Sequence, residues 1–391
     1  MTVCQVSRTR ARRPLGQPIE RACFALVVAQ AIYLAAAWWF GSWLGVIPTD
    51  FVSVWAAGKL VLDGQAAAVY DWPIHKQIEV LALGHPFDGY FGWHYPPTFL
   101  FVAAALALLP YIAAYVLLLG GTFPLYLTAI RAIIGDRTGY VLAAAFPAIL
   151  SNFMVGQNGF LSAALLGGAL ILLVERPVLA GLCLGLLTYK PHLGLLIPLA
   201  LVAGGHWRAI AAAGIVTSLV AAASWAAFGS ATWAAFVANI GHTSQAFLSD
   251  GWADFGKLQT AFGLTRMLGG SAPLAWGVQI ALALAAAGAI AALWRGRAAF
   301  EIKAAALAAA TLLATPYLYT YDLVALAVPL AFLFRLAGAR GFLPYELSGI
   351  GLACLLVLIF PFVKAPTGFL AVTIVALLIV RRAWGCGLPA R

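Results

Sequence analysis

Long apolar runs separated by short polar segments make up most of this 391-residue chain. A transmembrane helix needs about 20 mostly apolar residues. By that measure the chain predicts crossings within residues 22–47, 98–134, 140–151, 160–174, 178–204, 208–228, 273–293, 304–314, 323–334, 347–362 and 368–380. Since the run 178–204 is interrupted at Lys190, the pattern predicts an all-α polytopic membrane protein with about 12 transmembrane helices.

Two longer polar stretches, residues 48–97 and 229–270, are predicted to be large loops on the outer face of the membrane. The first contains five of the chain's 13 acidic residues and three of its six histidines. Within it, residues 51–62 and 74–83 have apolar positions at helical spacing, which is typical of short amphipathic helices lying at the membrane surface. In a chain that is otherwise almost uncharged, this crowding of ionisable groups indicates where the chemistry takes place.

The basic residues fix the predicted topology. Of all residues, 63% are hydrophobic and only 9% are charged, and Lys and Arg cluster between the apolar runs. Positive charge in such positions marks the cytoplasmic side of a membrane protein. We therefore attribute the net charge of +10 to the orientation of the chain in the membrane and predict no nucleic-acid partner. We predict a basic cytoplasmic N-terminus (1–21), a single transmembrane domain (22–383) and a cytoplasmic C-terminal tail (384–391) in the plasma membrane.

Both termini on the cytoplasmic side require an even number of crossings, and two arrangements satisfy this. In the preferred one, 98–134 crosses once and the break at Lys190 divides two short crossings. In the other, 98–134 crosses twice and the run through Lys190 crosses once, which places Arg131, Arg137 and Arg176 outside. Either arrangement leaves both long loops outside. The first apolar run is too long for a signal-peptide core and is predicted to be retained.

No metal site or cofactor is predicted. The five cysteines lie in apolar segments or near the termini and show no CxxC spacing. Nothing in their arrangement indicates a disulfide or zinc framework.

Asp50 is the sharpest candidate for catalysis. It follows the first apolar run, and a carboxylate at a membrane exit can act as general base on a hydroxyl within hydrogen-bond reach. The structural alternative is a helix N-cap that faces the lipid headgroups. Farther along the loop, Trp55, Lys59 and Tyr95 offer aromatic faces and polar edges that suit a sugar ring. Interfacial aromatic belts have the same composition.

Polar breaks inside the later apolar runs supply further candidates for substrate binding. Lys190, followed by His192, interrupts a run in which an ionisable group is costly and usually faces a cavity or a partner. The lysine can hold a phosphate or extend to the membrane interface. Gln157 and Asn158 form a neutral break that can bind substrate or only satisfy exposed backbone groups.

The outer segments in the second half of the chain add three more candidates. Lys257 and Arg266 lie in the loop 229–270 and can bind an anion, with solvated loop charges as the alternative. Tyr319 belongs to the segment Thr315–Asp322, in which three tyrosines and an acid separate two apolar runs. This segment is predicted to form either a cavity wall or part of an interfacial belt.

Several short motifs, taken in their order along the chain, resemble glycosyltransferase family 87. They are Asp50-Phe51, Trp55-Ala56-Ala57-Gly58, Leu62-Asp63-Gly64, Tyr70-Asp71, Tyr95-Pro96-Pro97, Gly156-Gln157-Asn158 and Lys190-Pro191. No single motif is decisive, and their order carries the resemblance. That family includes mannosyltransferases that use polyprenyl-phosphate mannose.

The resemblance implies a GT-C type membrane fold with an essential acid in the first outer loop, which is Asp50 in this chain. Asp50 would deprotonate an acceptor hydroxyl while a hexosyl group, expected to be mannosyl, leaves its polyprenyl phosphate with inversion. Lys190 would be a candidate to hold the lipid phosphate. The implied partners are a polyprenyl-phosphate sugar donor, a glycolipid or glycan acceptor and membrane lipids. Relatives often carry a histidine in the late outer loop, where this chain has the tyrosines and the acid of Thr315–Asp322.

A transporter or flippase of a lipid-linked or polar solute is the alternative function. Transporters tend to show internal repeats and broken helices around a site at the middle of the membrane. This chain shows no convincing repeat, and its ionisable residues gather at the outer ends of the predicted spans. The sequence therefore favours an integral-membrane glycosyltransferase.

Overall fold

The computed structural model describes residues 17–43, 50–89, 91–252 and 254–385. Within these ranges the chain is helical and contains no strand. The prediction of an all-helical protein is therefore confirmed for the described residues. Most of the predicted basic N-terminus and of the predicted C-terminal tail lies outside them.

Seventeen α-helices follow one another along the described residues. They are α1 (Gln17–Trp43), α2 (Phe51–Leu62), α3 (Trp72–Leu83), α4 (Leu100–Ala107), α5 (Tyr111–Ile134), α6 (Thr138–Ala145), α7 (Ala148–Val155), α8 (Gly159–Leu172), α9 (Pro177–Leu187), α10 (Ile197–Ala203), α11 (Trp207–Thr243), α12 (Ala261–Met267), α13 (Ala272–Arg295), α14 (Phe300–Ala314), α15 (Ala327–Arg340), α16 (Glu346–Val363) and α17 (Thr367–Gly385). Turns of 3-10 helix occupy Ala66–Tyr70, Pro97–Phe99, Pro191–Gly194, Phe255–Lys257 and Asp322–Leu326, and a π-helical turn occupies Ser244–Ser249. Helix α11 is interrupted at Gly229, whose φ of 80° and ψ of 168° are not helical.

Seven helical segments among the described residues are long and apolar enough to cross a membrane. They are Pro18–Phe40, Tyr111–Ile134, Trp207–Ser249, Ala272–Arg295, Asp322–Arg340, Glu346–Val363 and Thr367–Trp384. Helices α6 and α7 meet at 63° and together would form an eighth. The protein is therefore a multi-pass membrane protein. The count of twelve crossings and the GT-C type fold stay predictions.

Helix α2 is a buried helix, which corrects the expectation of an amphipathic helix at the membrane surface. Eight of its 12 residues are buried, from Phe51 at its start to Leu60 near its end. Trp55, Lys59 and Val61 are partly exposed and Leu62 is exposed, so most of the helix surface packs against the protein. Gly58 allows α4 to approach closely, because a methyl group there would overlap the carbonyl group of Ala103. This packing fixes the position of Asp50 at the start of α2.

The two segments with ambiguous crossings are both divided into two helices. Residues 98–134 contain α4 and α5, which are separated at Leu108–Pro110, and only α5 is one of the long candidate spans. At Lys190 the short helix α9 ends, and a 3-10 turn that begins with Pro191 leads to α10. These breaks are compatible with the preferred arrangement of crossings.

The connections between successive helices gather at two opposite ends of the helical assembly. At one end, Arg335 near the end of α15 donates a hydrogen bond of 2.9 Å to the carbonyl group of Ile133 near the end of α5. We call this the basic end. At the opposite ends of these two segments lie Asp322 and Tyr111. We call that end the site end.

Candidate active site

Asp50 stands at the start of α2 but does not cap it. The residue occupies the N-cap position with φ of −53° and ψ of −20°, and its side chain makes no capping hydrogen bond. Instead, Oδ2 of Asp50 accepts a hydrogen bond of 3.4 Å from Nε2 of Gln157. The structural alternative of a simple helix cap therefore does not describe this carboxylate.

Burial raises the pKa of Asp50 to about 6, and the neighbouring groups adjust it. The hydrogen bond from Gln157 and the positive charges of Lys257 and Lys190 oppose the rise, whereas the negative charge of Asp322 adds to it. A carboxylate with this pKa is ionised at neutral pH and is a stronger base than an ordinary aspartate. Asp50 thus has the protonation properties of a general base.

Gln157 connects Asp50 to Tyr95. The hydroxyl group of Tyr95 donates a hydrogen bond of 2.9 Å to Oε1 of Gln157, whose amide group in turn donates to Asp50. Gly156 ends α7 in the left-handed region, with φ of 70°, and this turn presents the two amides that follow. Asn158 is buried beside Tyr95, and its side-chain oxygen accepts no hydrogen bond from the described residues. A buried amide of this kind is available to a ligand.

Lys190 forms an ion pair with Asp322 inside the assembly. Nζ of Lys190 lies 2.5 Å from Oδ1 of Asp322, and only 3% and 2% of the two side chains are exposed. Oδ2 of Asp322 accepts a hydrogen bond of 3.2 Å from the backbone N–H of Tyr319. Nζ of Lys190 also lies 5.2 Å from the centroid of the Tyr321 ring. The lysine is therefore buried and held by a partner inside the protein.

The segment Thr315–Asp322 forms an aromatic wall beside this ion pair. The rings of Tyr319 and Tyr321 are stacked, with centroids 5.7 Å apart and an interplanar angle of 17°. Gly159, the first residue of α8, makes the approach possible, because a Cβ atom there would overlap the carbonyl oxygen of Tyr321. The wall and the Gln157–Asn158 turn thus belong to one site.

Two histidines flank Tyr317 in the same wall. The ring centroids of His94 and His192 lie 6.2 Å and 6.1 Å from the centroid of Tyr317. Nδ1 of His94 is 3.0 Å from the hydroxyl oxygen of Thr243 at the end of α11. Burial lowers the pKa of His94 to about 4, so its ring is neutral at pH 7. His94 therefore offers hydrogen bonding without charge.

The predicted anion ligands of the second loop differ in what they contact. Arg266 donates hydrogen bonds to the carbonyl groups of Gly270 at 3.0 Å and Ser249 at 2.9 Å, and its guanidinium group lies 4.4 Å from the Phe255 ring centroid. These contacts hold the loop in its fold. Lys257 is exposed, and its charge acts on Asp50.

Trp55 and Lys59 interact with each other and with the connection between α4 and α5. The indole N–H of Trp55 donates a hydrogen bond of 3.0 Å to the carbonyl group of Leu109, between α4 and α5. Nζ of Lys59 lies 4.9 Å from the centroid of the Trp55 ring. The two side chains form their own cation–π pair along α2.

The structure therefore brings together Asp50, Tyr95, Gln157, Lys190 and Tyr319 from distant parts of the sequence. Asn158, His192 and Lys257 border this group. Asp322 also belongs to this group but was not among the site residues predicted from the sequence. The signal for it was an acidic residue that directly follows a segment with three tyrosines. Among the described residues, no group of three or more His, Cys, Asp or Glu side chains could hold a metal ion.

The fold and this cluster define an integral membrane protein whose site combines an ionisable carboxylate with a buried cation. The family model of glycosyltransferase family 87 matches residues 93–316, more than half of the chain, and the chain belongs to this family. The matched residues include Tyr95, Gln157 and Lys190, whereas Asp50 and Asp322 lie outside them. In the same comparisons no curated protein and no solved structure matches the chain.

Proposed function

We propose that this protein transfers a hexosyl group, expected to be mannosyl, from a polyprenyl-phosphate sugar to a glycolipid or glycan acceptor. Membership of glycosyltransferase family 87 supports glycosyl transfer. The role of Asp50 rests on one observation. Its carboxylate lies at the start of α2, makes no capping hydrogen bond and accepts a hydrogen bond from Gln157.

In the proposed reaction Asp50 acts as general base. Its carboxylate takes the proton of an acceptor hydroxyl group as the hydroxyl oxygen attacks the anomeric carbon. The bond between that carbon and the phosphate oxygen breaks at the opposite face, and its electron pair leaves with the polyprenyl phosphate. The product carries the inverted configuration, and Asp50 afterwards returns the proton to water. A pKa of about 6 suits this role, since the carboxylate is ready to accept a proton at neutral pH.

Lys190 is proposed to bind the donor phosphate. An ammonium group interacts with phosphate as a point charge and needs no fixed bidentate geometry. Asp322 pairs with this ammonium group and holds it at the site. Asn158 would contribute its carboxamide near the leaving group, while Tyr95 would hold Gln157 in position.

We further propose a GT-C type fold with about 12 crossings. These comprise the seven long spans, the bent pair α6–α7, the helices α8, α9 and α14, and the segment Pro191–Ala203. The alternation of helix ends between the site end and the basic end supports this count. Because arginine-rich connections belong to the cytoplasmic side, the site end would face outward from the plasma membrane and both termini would be cytoplasmic.

The experiment is a transfer assay with the purified protein in lipid nanodiscs. Radiolabelled polyprenyl-phosphate mannose, glucose and galactose are offered separately with membrane glycolipid acceptors. Loss of a general base slows catalysis by about 100-fold to 10,000-fold, and this is the expected effect of Asp50→Asn. The matched control is Asp88→Asn, which removes an exposed carboxylate from the same stretch 48–97 and is expected to leave transfer unchanged.

Two outcomes would overturn the proposal. Transfer that survives Asp50→Asn at the wild-type rate would exclude Asp50 as the base. Absence of transfer from every polyprenyl-phosphate hexose, combined with solute movement in vesicles, would favour a transporter.

A further inference from the structure

A continuous row of aromatic rings leads from the surface of the second outer loop to the ion pair of Lys190. In order, the rings belong to Trp252, Trp72, Phe247, Tyr317, Tyr319 and Tyr321. Successive centroids lie between 5.1 and 6.4 Å apart. We call this set the aromatic row. Three segments remote in sequence build it, so neither local packing nor one helix face explains its continuity.

The outer end of the row is open. Trp252 is 65% exposed, and its ring meets Trp72 edge to face at 5.4 Å. Trp72 is fixed in turn, because its indole N–H donates a hydrogen bond of 2.9 Å to Oδ1 of Asn239 on α11. An exposed ring on a rigid base is a ready-made contact surface for a ligand.

Polar groups accompany the aromatic row along its length. Near Trp252, Nε2 of Gln245 donates a hydrogen bond of 2.8 Å to Oδ1 of Asp250. Near Phe247 lies the ring of His94, at 5.0 Å between centroids, with its neutral imidazole. Tyrosine hydroxyl groups follow toward the ion pair. Hydrogen-bonding groups beside aromatic faces match a ligand that has both apolar faces and hydroxyl edges.

We infer that the aromatic row is the binding subsite for the acceptor saccharide and leads its reactive hydroxyl toward Asp50. This inference rests on the proposed function and deepens it by assigning the acceptor. A pyranose ring presents C–H faces that stack on aromatic side chains, and its hydroxyl groups require polar partners. The isoprenoid chain of the donor has no such groups and would desolvate the polar groups without compensation. An opening on the outer loop also suits an acceptor whose sugars extend into water.

The test measures saccharide binding without catalysis. Saturation-transfer NMR is recorded on the protein in nanodiscs with the methyl glycosides of mannose, glucose and galactose, in the absence of donor. At least one glycoside is expected to show saturation transfer to the wild type. Trp252→Ala should reduce that signal at least fivefold, and Trp252→Phe, which keeps a ring, should retain a large part of it.

Two controls separate a binding role from a general aromatic belt. Trp207 is 62% exposed at the other end of α11, so Trp207→Ala removes an equally exposed indole and is expected to leave the signal unchanged. Asp50→Asn should also retain binding. If Trp252-dependent binding persists while no polyprenyl-phosphate hexose supports transfer, the proposed function fails and the subsite stands.

Three results would overturn the inference. The first is absence of saturation transfer from every glycoside to the wild type, and the second is an unchanged signal in Trp252→Ala. The third concerns farnesyl phosphate, a short donor analogue, as the probe. If Trp252→Ala weakens farnesyl phosphate binding and leaves the glycosides unaffected, the row holds the isoprenoid chain.

Discussion

Breaking the ion pair between Lys190 and Asp322 should cost more stability than breaking the more exposed pair between Arg335 and Glu301. Removing one partner of a buried ion pair costs about 3–5 kcal/mol, because the other charge stays buried without compensation. That range applies here, since the two side chains are only 3% and 2% exposed. We expect Lys190→Met and Asp322→Asn each to lower the free energy of unfolding by about 3 kcal/mol or more. The double variant Lys190→Met/Asp322→Leu should recover most of this loss, because it leaves no buried charge.

Equilibrium unfolding in mixed micelles, with increasing SDS and tryptophan fluorescence as the signal, measures these differences. The matched control is Glu301→Gln, which breaks the pair with Arg335 at the basic end. That pair is 3.5 Å long and its side chains are 29% and 17% exposed, so a loss below about 1 kcal/mol is expected. The reasoning is refuted if Glu301→Gln and Asp322→Asn cost the same, or if the double variant is no more stable than the single variants.

Two further predictions concern catalysis and packing. The kcat/KM for transfer should rise with pH around a midpoint near 6, because Asp50 must lose its proton to act as base, and Lys257→Gln should move that midpoint upward by removing a charge that lowers the pKa of Asp50. A pH profile from 4.5 to 8.5 that is flat, or a midpoint that moves downward, would contradict this. Gly58→Ala should cost about 1–3 kcal/mol in the same unfolding titration, since a methyl group there would overlap α4, whereas Gly120→Ala in α5 meets no atom within 4 Å and should cost little.

Hydrophobic patterning predicts most of the helical structure of this protein, because a membrane allows few alternatives to a helix. The run predicted at 347–362 is observed as α16, Glu346–Val363, and the run at 273–293 as α13, Ala272–Arg295. The same reasoning misplaced α2. Lys59 and Ser53 give that segment a polar component, but periodicity describes only the helix itself and carries no information about how many neighbours surround it.

The site was predictable to the extent that its residues are costly in an apolar chain. Lys190 and Gln157 stood out as polar breaks, and Asp50 as an acid at a membrane exit. Their mutual arrangement was not predictable, because Gln157 bonds Asp50 across 107 positions and Lys190 pairs with Asp322 across 132. Such pairings depend on which helices become neighbours, and single-sequence patterns do not specify that.

The pairing of Lys190 with Asp322 also explains how a buried cation can persist in so apolar a chain. A lone buried ammonium group would be costly enough to lose its proton or to draw in water. Asp322 pairs with Lys190 and holds it in place, and the backbone N–H of Tyr319 donates to the second carboxylate oxygen. If a donor phosphate binds Lys190, it must therefore compete with a carboxylate already in contact. Asp322→Asn should therefore have opposite effects on two quantities. It should lower the stability of the fold, and it should raise the affinity of Lys190 for the donor phosphate.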